Sequence, residues 1–154
     1  MFSNVLKSIE NCSCGKSHSV HLQKIVFEEN AIDLAPSVIA EFSKTNRVAM
    51  ICDDNTYLAA GKTLEENFDF YRVIKLCSDN LHANEKAVQA VLDEITPEID
   101  LYVAVGSGTI HDITRYVAAQ TKVDFVSIPT APSVDGFVST VAAMTWNGAK
   151  KTMP

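Results

Sequence analysis

The turn Gly106-Ser107-Gly108 is the first feature of this sequence that could do chemistry, because it follows an apolar run and opens a helical pattern. Backbone N–H groups and the positive end of a helix dipole face an anion placed there. Glycine also lets a phosphate approach the main chain closely. The turn therefore predicts a phosphate seat. Since His111 replaces the last glycine of G-x-G-x-x-G, the turn alone is almost as compatible with a strand-to-helix connection that binds nothing.

Asp53 is a second candidate, at the end of the apolar run 47–53. A carboxylate in that position could accept both hydroxyls of an adenine ribose. An Asx turn through Asp54 and Asn55 explains the same D-D-N-T sequence equally well. In the common dinucleotide fingerprint the acid follows the glycine turn by about 20 residues, whereas Asp53 precedes it. Spacing alone therefore does not make these residues a Rossmann motif.

The polar segment after residue 128 carries hydroxyl and acidic side chains: Thr130, Ser133, Asp135 and Ser139. It follows a predicted strand, and ligands of open α/β sheets bind beyond the carboxyl ends of the strands. Hydroxyls there could donate to phosphate oxygens, and Asp135 could accept from a substrate hydroxyl. A solvated loop with an Asp-Gly turn is an equally good interpretation.

Metal ligands are less clearly indicated. Cys12, Cys14, His18 and His21 are of types that suit zinc, but their crowding within ten residues is not the usual structural-finger spacing. An N-terminal loop is the favoured interpretation, with metal binding as the alternative. No His-x-x-x-His pair is present in the sequence, so a hydrolytic metal site is not supported.

The elements that must position these residues alternate between β-rich and helical patterns, which predicts a parallel sheet covered by helices. Strands are predicted over 24–28, 47–53, 71–77, 100–105 and 124–128, with helices over 32–43, 56–67 (interrupted at Gly61), 84–95 (capped by Asn84) and 109–120. Cys52 and Cys77 fall in apolar strand-like runs, where cysteine behaves as a small core residue.

A hairpin is predicted around Asn147-Gly148, because both residues accept the positive φ of a tight turn. The chain ends before a full returning strand is expected, so we interpret the sequence as a truncated part of a longer protein.

Composition limits the class of protein. The chain has 154 residues, 47% of them hydrophobic, and a net charge of −6, which favours one compact domain and argues against nucleic acid as the main partner. No apolar run reaches the roughly 18 residues of a spanning helix, and the polar start does not suit a signal peptide. We expect a cytoplasmic protein without membrane insertion.

Three segments together resemble glycerol-1-phosphate dehydrogenases, including the bacterial AraM-like members of the iron-containing alcohol dehydrogenase and dehydroquinate synthase-like superfamily. They are ICDDNTYLAAGK at 51–62, VGSGTIHDITRY at 105–116 and SIPTAPSVDGFVST at 127–140, supported by CSCGKSH near the start and NGAKKTMP at the end. Proteins of that family are roughly twice as long. The resemblance implies a Rossmann-like α/β fold, a mostly parallel sheet with helices on both faces, and makes 1–154 the nucleotide-binding domain that precedes a helical metal-binding domain.

The resemblance also implies roles for individual residues toward NAD or NADP. Asp53 would hold the adenosine ribose, and Asp135 matches the family's substrate-binding aspartate. The pyrophosphate would be wrapped by Gly106, Ser107, Gly108, Thr109 and Ile110, and the nicotinamide nucleotide contacted by Thr130 and Ser133, with Ser139 nearby. The turn G-S-G-T-I, in place of G-G-G-K-T, favours the glycerol-phosphate branch over glycerol dehydrogenases.

The implied reaction is reversible reduction of dihydroxyacetone phosphate to sn-glycerol 1-phosphate, with a divalent metal, often zinc, held by the following domain to polarise the carbonyl. This piece alone is expected to bind nucleotide and to catalyse little or nothing, within a possible homo-oligomer. A glycerol dehydrogenase-like polyol dehydrogenase is the alternative within the enzyme class. A nucleotide-binding or interaction module that is never catalytic is the alternative outside it.

Overall fold

A four-stranded parallel sheet forms the centre of the structure, a computed structural model that describes residues 13–14, 22–132 and 136–153. The strands are β1 (Val48–Asp53), β2 (Arg72–Leu76), β3 (Leu101–Gly106) and β4 (Asp124–Pro129), in the spatial order β2-β1-β3-β4. A 3₁₀ turn (Ala31–Leu34) precedes α1 (Ala35–Phe42), and the later helices are α2 (Asp54–Thr56, a π-helical stretch Tyr57–Gly61, and Lys62–Asn67), α3 (Glu85–Leu92) and α4 (Gly108–Thr121). The predicted α/β class is confirmed.

Helices cover both faces of this sheet. On one face, α3 and α4 bury apolar side chains such as Val91 and Ile113. On the other face, α1 and α2 bury Ile39 and Leu64. The two central strands, β1 and β3, are buried at every position, as continuous apolar runs in a sheet covered on both sides should be.

The four predicted helices all form, and their boundaries lie within three residues of the predicted ones. Asn84 caps α3, its side-chain oxygen accepting from the Ala87 N–H at 3.0 Å, but the helix ends at Leu92 rather than at residue 95. Gly61 does not interrupt α2. It ends the π-helical stretch within a continuous helical path.

An antiparallel hairpin, β5 (Ala142–Trp146) and β6 (Ala149–Met153), follows the parallel sheet. Its turn has φ of 53° at Asn147 and 74° at Gly148, so the predicted Asn-Gly turn is confirmed. The expectation that no full returning strand forms is wrong, because β6 pairs with β5 over five residues. β6 was not predicted because most of its residues are exposed and two of them are lysines, so the strand shows no hydrophobic pattern.

The hairpin is attached to the side of the sheet that α3 and α4 cover. The Thr145 N–H donates to the Ala83 carbonyl at 2.7 Å, and the Asn147 N–H donates to the Glu85 carboxylate. The Trp146 ring lies 5.1 Å from that of Tyr116 on α4, measured between centroids. These contacts make the hairpin part of the same packed unit.

Two predictions about the outer parts of the fold are wrong. Residues 24–28 form no strand. They pair with no strand among the described residues, and Phe27 is 96% exposed. Cys77 is exposed and lies one residue beyond the end of β2, whereas Cys52 on β1 is fully buried as predicted.

Candidate functional site

The carboxyl edge of the sheet brings two of the candidate motifs together. The chain leaves β1 to form β2 on one side and returns to form β3 on the other, which makes the β1/β3 boundary the switch point where ligands of such sheets bind. Ile51 pairs with Ala104, and Asp53 and Gly106 each lie two residues farther along. The carboxylate and the glycine turn are therefore neighbours at the same height.

The amino end of α4 presents backbone donors. The first hydrogen bond within this helix runs from the His111 N–H to the Ser107 carbonyl, 3.1 Å. No side chain caps the helix. Among the described residues, the N–H groups of Gly108, Thr109 and Ile110 have no acceptor. Three such donors at the positive end of a 14-residue helix can bind an anion. We call these three N–H groups the anion seat.

Gly106 has a packing role that the sequence did not indicate. A Cβ built on it would lie 2.6 Å from both Cβ and Cγ1 of Ile110, whose side chain is fully buried. The missing side chain thus lets α4 approach β3. The Gly106 carbonyl accepts from the Thr130 N–H at 2.9 Å, which joins the polar loop after β4 to the turn.

His111 connects the same turn to the neighbouring strand. Its Nδ1 lies 2.8 Å from the Ser107 carbonyl oxygen, and its Nε2 lies 2.6 Å from Oγ of Ser127 on β4. The imidazole is fully buried. Burial, together with the positive charge of Arg115, lowers its pKa against the opposing effect of the Ser107 hydrogen bond, so the ring is neutral at physiological pH.

Arg115 attaches the polar loop to α4. Its guanidinium donates to the Gly136 carbonyl and lies 3.5 Å from the Asp112 carboxylate. Although charged, its side chain is 7% exposed. Gly136 itself rests on the helix start, since a Cβ built there would lie 3.4 Å from the Cα of Gly108. Gly136 therefore lies directly beside the anion seat.

Asp53 combines a structural role with an available oxygen. Oδ1 accepts from the Thr56 N–H at 2.9 Å, and the Thr56 hydroxyl accepts from the Asp53 N–H at 2.9 Å. This reciprocal cap is the local structure that forms where the alternative interpretation placed an Asx turn through Asp54 and Asn55. The Asp54 carboxylate accepts from the Ser78 N–H instead. No described residue donates to Oδ2 of Asp53, which leaves that oxygen for a ligand hydroxyl.

The remaining predicted site residues lie in or next to the loop after β4. Thr130 directly follows that strand, and its N–H donates to the Gly106 carbonyl. Ser139 is occupied by a local turn, donating to the Val141 carbonyl at 2.7 Å and accepting from the Val141 N–H. Ser133 and Asp135 lie outside the described residues.

Neither a metal site nor a membrane span is formed by the part of the chain that the structure describes. No three His, Cys, Asp or Glu side chains within it are grouped to hold a metal ion. Cys12, His18 and His21 lie outside that part. None of its helices has the length and apolar character needed to cross a membrane.

Two residues at this edge were missed by sequence reasoning, Arg115 and Ser127. Both lie inside motifs singled out above, but their partners are distant in sequence: Arg115 reaches 21 residues to Gly136, and Ser127 reaches 16 residues to His111. An arginine among the apolar residues of the predicted helix 109–120 was the signal that the sequence offered.

Comparison with known proteins gives the family. The model of the iron-containing alcohol dehydrogenase family matches residues 26–154. The chain belongs to this family. It is 33% identical to a glycerol-1-phosphate dehydrogenase, NAD(P)+, of Geobacillus thermodenitrificans, covering 97% of this chain and 39% of that relative, and 33% identical to the protein of the same name from Bacillus licheniformis, covering 99% and 40%.

The family fold is also that of solved structures. An iron-containing alcohol dehydrogenase of Corynebacterium glutamicum superimposes with a TM-score of 0.69 at 19% identity, over 92% of this chain and 39% of that one. The chain spans about two fifths of the length of the curated relatives it matches.

Proposed function

We propose that this chain is the dinucleotide-binding part of an NAD(P)-dependent sn-glycerol-1-phosphate dehydrogenase. The observation that carries the proposal is the proximity, at the β1/β3 switch point, of two features. They are three N–H groups on α4 that have no acceptor among the described residues, and the Oδ2 of Asp53, to which no described residue donates. Pyrophosphate and ribose hydroxyls are the ligand groups that match these donors and this acceptor. The names of the curated relatives supply the cofactor and the substrate class.

Each residue in the proposed site has a defined task. The N–H groups of Gly108, Thr109 and Ile110 bind the pyrophosphate, while Ser107 and Gly106 shape the turn that presents them. Asp53 accepts from the adenosine ribose. The dinucleotide then continues along the sheet edge toward Thr130, and the proposal retains Ser133 and Ser139 as contacts of its nicotinamide end and Asp135 as a substrate contact.

The proposed reaction transfers a hydride from NAD(P)H to the carbonyl carbon of dihydroxyacetone phosphate, and a proton to its oxygen, giving sn-glycerol 1-phosphate and NAD(P)+. In this proposal a divalent metal such as zinc would be held by a following domain and would polarise the carbonyl, since no described residues are grouped to hold a metal ion. The contribution of this chain is to bind and orient the dinucleotide. A cytoplasmic location and a homo-oligomeric assembly belong to the same proposal.

Binding of the cofactor is tested by fluorescence titration of the chain with NADH and NADPH. Gly108→Val should weaken both cofactors by at least about tenfold, because its side chain would stand between the phosphates and the helix amides. Ala119→Val is the matched control, since residue 119 lies exposed on the same helix, far from its amino end. Unchanged affinity in Gly108→Val would contradict the phosphate assignment.

The ribose assignment has its own variant, Asp53→Asn. Asparagine caps a helix about as well as aspartate, so the fold should be retained. We expect a loss of about tenfold for NADH and a smaller loss for NADPH, since the native carboxylate repels the 2′-phosphate. Asp124→Asn, at the opposite edge of the sheet, serves as the control. An equal loss for both cofactors would count against this role.

The substrate is tested with the full-length gene product. We expect NADH oxidation to be much faster with dihydroxyacetone phosphate than with dihydroxyacetone, and to stop when a chelator is added. The reverse preference would favour a glycerol dehydrogenase.

A further inference from the structure

We infer that His111 is a positioning residue for the anion seat, which holds the peptide between Ser107 and Gly108 in the orientation that presents the Gly108 N–H to a phosphate. The inference rests on the proposed function, because it gives His111 a role at the proposed phosphate-binding site. The competing interpretation is that His111 is only a well-packed core residue.

The hydrogen bonds determine which imidazole nitrogen carries the proton. The Ser107 carbonyl can only accept, so Nδ1, at 2.8 Å, must donate to it. A neutral ring then has an unprotonated Nε2, which accepts from the Ser127 hydroxyl at 2.6 Å. The chain Ser127 to His111 to Ser107 therefore has one consistent direction of donation.

This chain of bonds controls the peptide that follows Ser107. A peptide unit is planar, and in the trans form its C=O and N–H point in opposite directions. No peptide bond among the described residues is cis. Because His111 holds the Ser107 carbonyl through both its backbone N–H and Nδ1, it directs the Gly108 N–H away from the core, toward the open helix end.

The second bond gives the imidazole a fixed anchor. Ser127 lies on β4 and pairs in register with Ala104 on β3, so its hydroxyl belongs to the rigid sheet rather than to the loop. The ring has no freedom to swing, since it is fully buried between α4 and the sheet. An apolar residue of similar size would fill this space but would leave the carbonyl held by the helix bond alone.

Three substitutions separate positioning from packing. The amide nitrogen of asparagine falls near the place of Nδ1, whereas that of glutamine falls near Nε2. His111→Asn therefore retains a donor to Ser107, His111→Gln does not, and His111→Leu keeps only the volume. In NADH titrations we expect affinity within about threefold of wild type for His111→Asn, and losses of about tenfold for the other two.

A role limited to packing predicts a different order, in which His111→Leu binds as well as or better than His111→Asn. That order, or equal affinity in all three variants, would overturn the inference. Absence of NADH binding by the wild-type chain would instead overturn the proposed function.

A measurement on the wild-type chain decides the matter if the variants do not fold. Nitrogen-15 NMR of the His111 ring distinguishes a protonated Nδ1 from a protonated Nε2 without any nucleotide. We expect the proton on Nδ1 at neutral pH. A proton on Nε2 would leave the Ser107 carbonyl without this donor and would overturn the inference.

Discussion

At the scale of single residues, Gly106 shows that a glycine in a turn can be required for packing as well as for a predicted ligand. Its sequence context indicates close approach of a phosphate, but its lack of a side chain is already required by the Ile110 side chain in the core. The position of α4 therefore depends on this glycine, and in the proposed function the approach of the phosphate depends on it too. The distinction has a measurable consequence, because packing acts on stability even when no nucleotide is present.

Gly106→Ala should destabilise the fold by about 1–3 kcal/mol, the usual cost of overpacking a filled core. The new methyl group would lie 2.6 Å from Ile110, so α4 or β3 must shift. Urea unfolding followed by circular dichroism measures the loss. In a double-mutant cycle with Ile110→Ala, the second substitution should remove much of the overpacking cost, and strictly additive effects would show that Ile110 is not the obstacle.

The cysteines provide a second residue-scale prediction. Burial, with the neighbouring charge of Asp53, raises the pKa of the Cys52 thiol to about 12, whereas Cys77 is exposed. At pH 8 a thiol reagent should therefore modify Cys77 rapidly and Cys52 only after unfolding. Cys77→Ser should remove one rapid equivalent and Cys52→Ser none. Rapid loss of an equivalent in Cys52→Ser would contradict the burial.

Sequence reasoning at this scale found the residues that meet at the sheet edge but not the bonds that hold them. Asp53 and the glycine turn follow strands, and parallel strands end at one edge, so their proximity could be predicted. Arg115 and Ser127 depend on partners that only the tertiary fold brings near. Cys77 was misplaced because an apolar run does not reveal that its strand ends one residue earlier.

At the scale of elements, the loop between α1 and β1 is organised by one carboxylate. Asp100 accepts from the N–H groups of Lys44 and Thr45 and from the hydroxyls of Ser43 and Thr45. Burial alone would raise the pKa of Asp100, but these bonds outweigh it and lower the pKa below its ordinary value of 3.8. The loop is thereby attached to the amino end of β3.

Asp100→Asn should cost about 1–3 kcal/mol at neutral pH, as expected for hydrogen bonds to a charged acceptor. A lowered pKa means that the contribution is fully present above the ordinary value and is lost as the pH falls through the folded-state pKa. The gap in unfolding free energy between the wild type and the variant should therefore narrow in acid. Asp124→Asn, an exposed control, should show no such gap, and a gap for Asp100→Asn that does not change with pH would contradict this account.

The element predictions succeeded where the pattern was local. Buried strands and the capped helix α3 follow from apolar periodicity and from Asn84. The segment 24–28 has strand-forming residues, but a strand also needs a neighbour to pair with, which no local pattern provides. The opposite error occurred at β6, whose polar residues form a strand because the Asn147-Gly148 turn aligns them with β5.

At the scale of the whole molecule, the hairpin belongs to the core on the α3 and α4 side of the sheet. Ala142 and Met144 are buried within that core, and Trp146 packs beside it. The Glu85 carboxylate, whose pKa is lowered chiefly by the hydrogen bond from the Asn147 N–H, holds the turn. The hairpin should therefore unfold together with the parallel sheet rather than before it.

Trp146 is the single tryptophan of the chain, so its fluorescence reports on the hairpin. Fluorescence and far-ultraviolet circular dichroism should give coincident urea transitions. Met144→Ala should move both transitions together, by about 2–5 kcal/mol, while Ala143→Ser, at an exposed position of β5, should move neither. A fluorescence transition that precedes the dichroism transition would show that the hairpin is a separate, weaker unit.

The hydrogen bonds that link Ser127, His111 and Ser107 have a further consequence for the kinetics of nucleotide association. A donor set that is already in place leaves little chain entropy to lose on association. Rapid mixing with NADH should then show one phase whose rate rises linearly with ligand concentration, without the plateau that a preceding rearrangement would impose. Differences in affinity among dinucleotides should accordingly arise from differences in their dissociation rates.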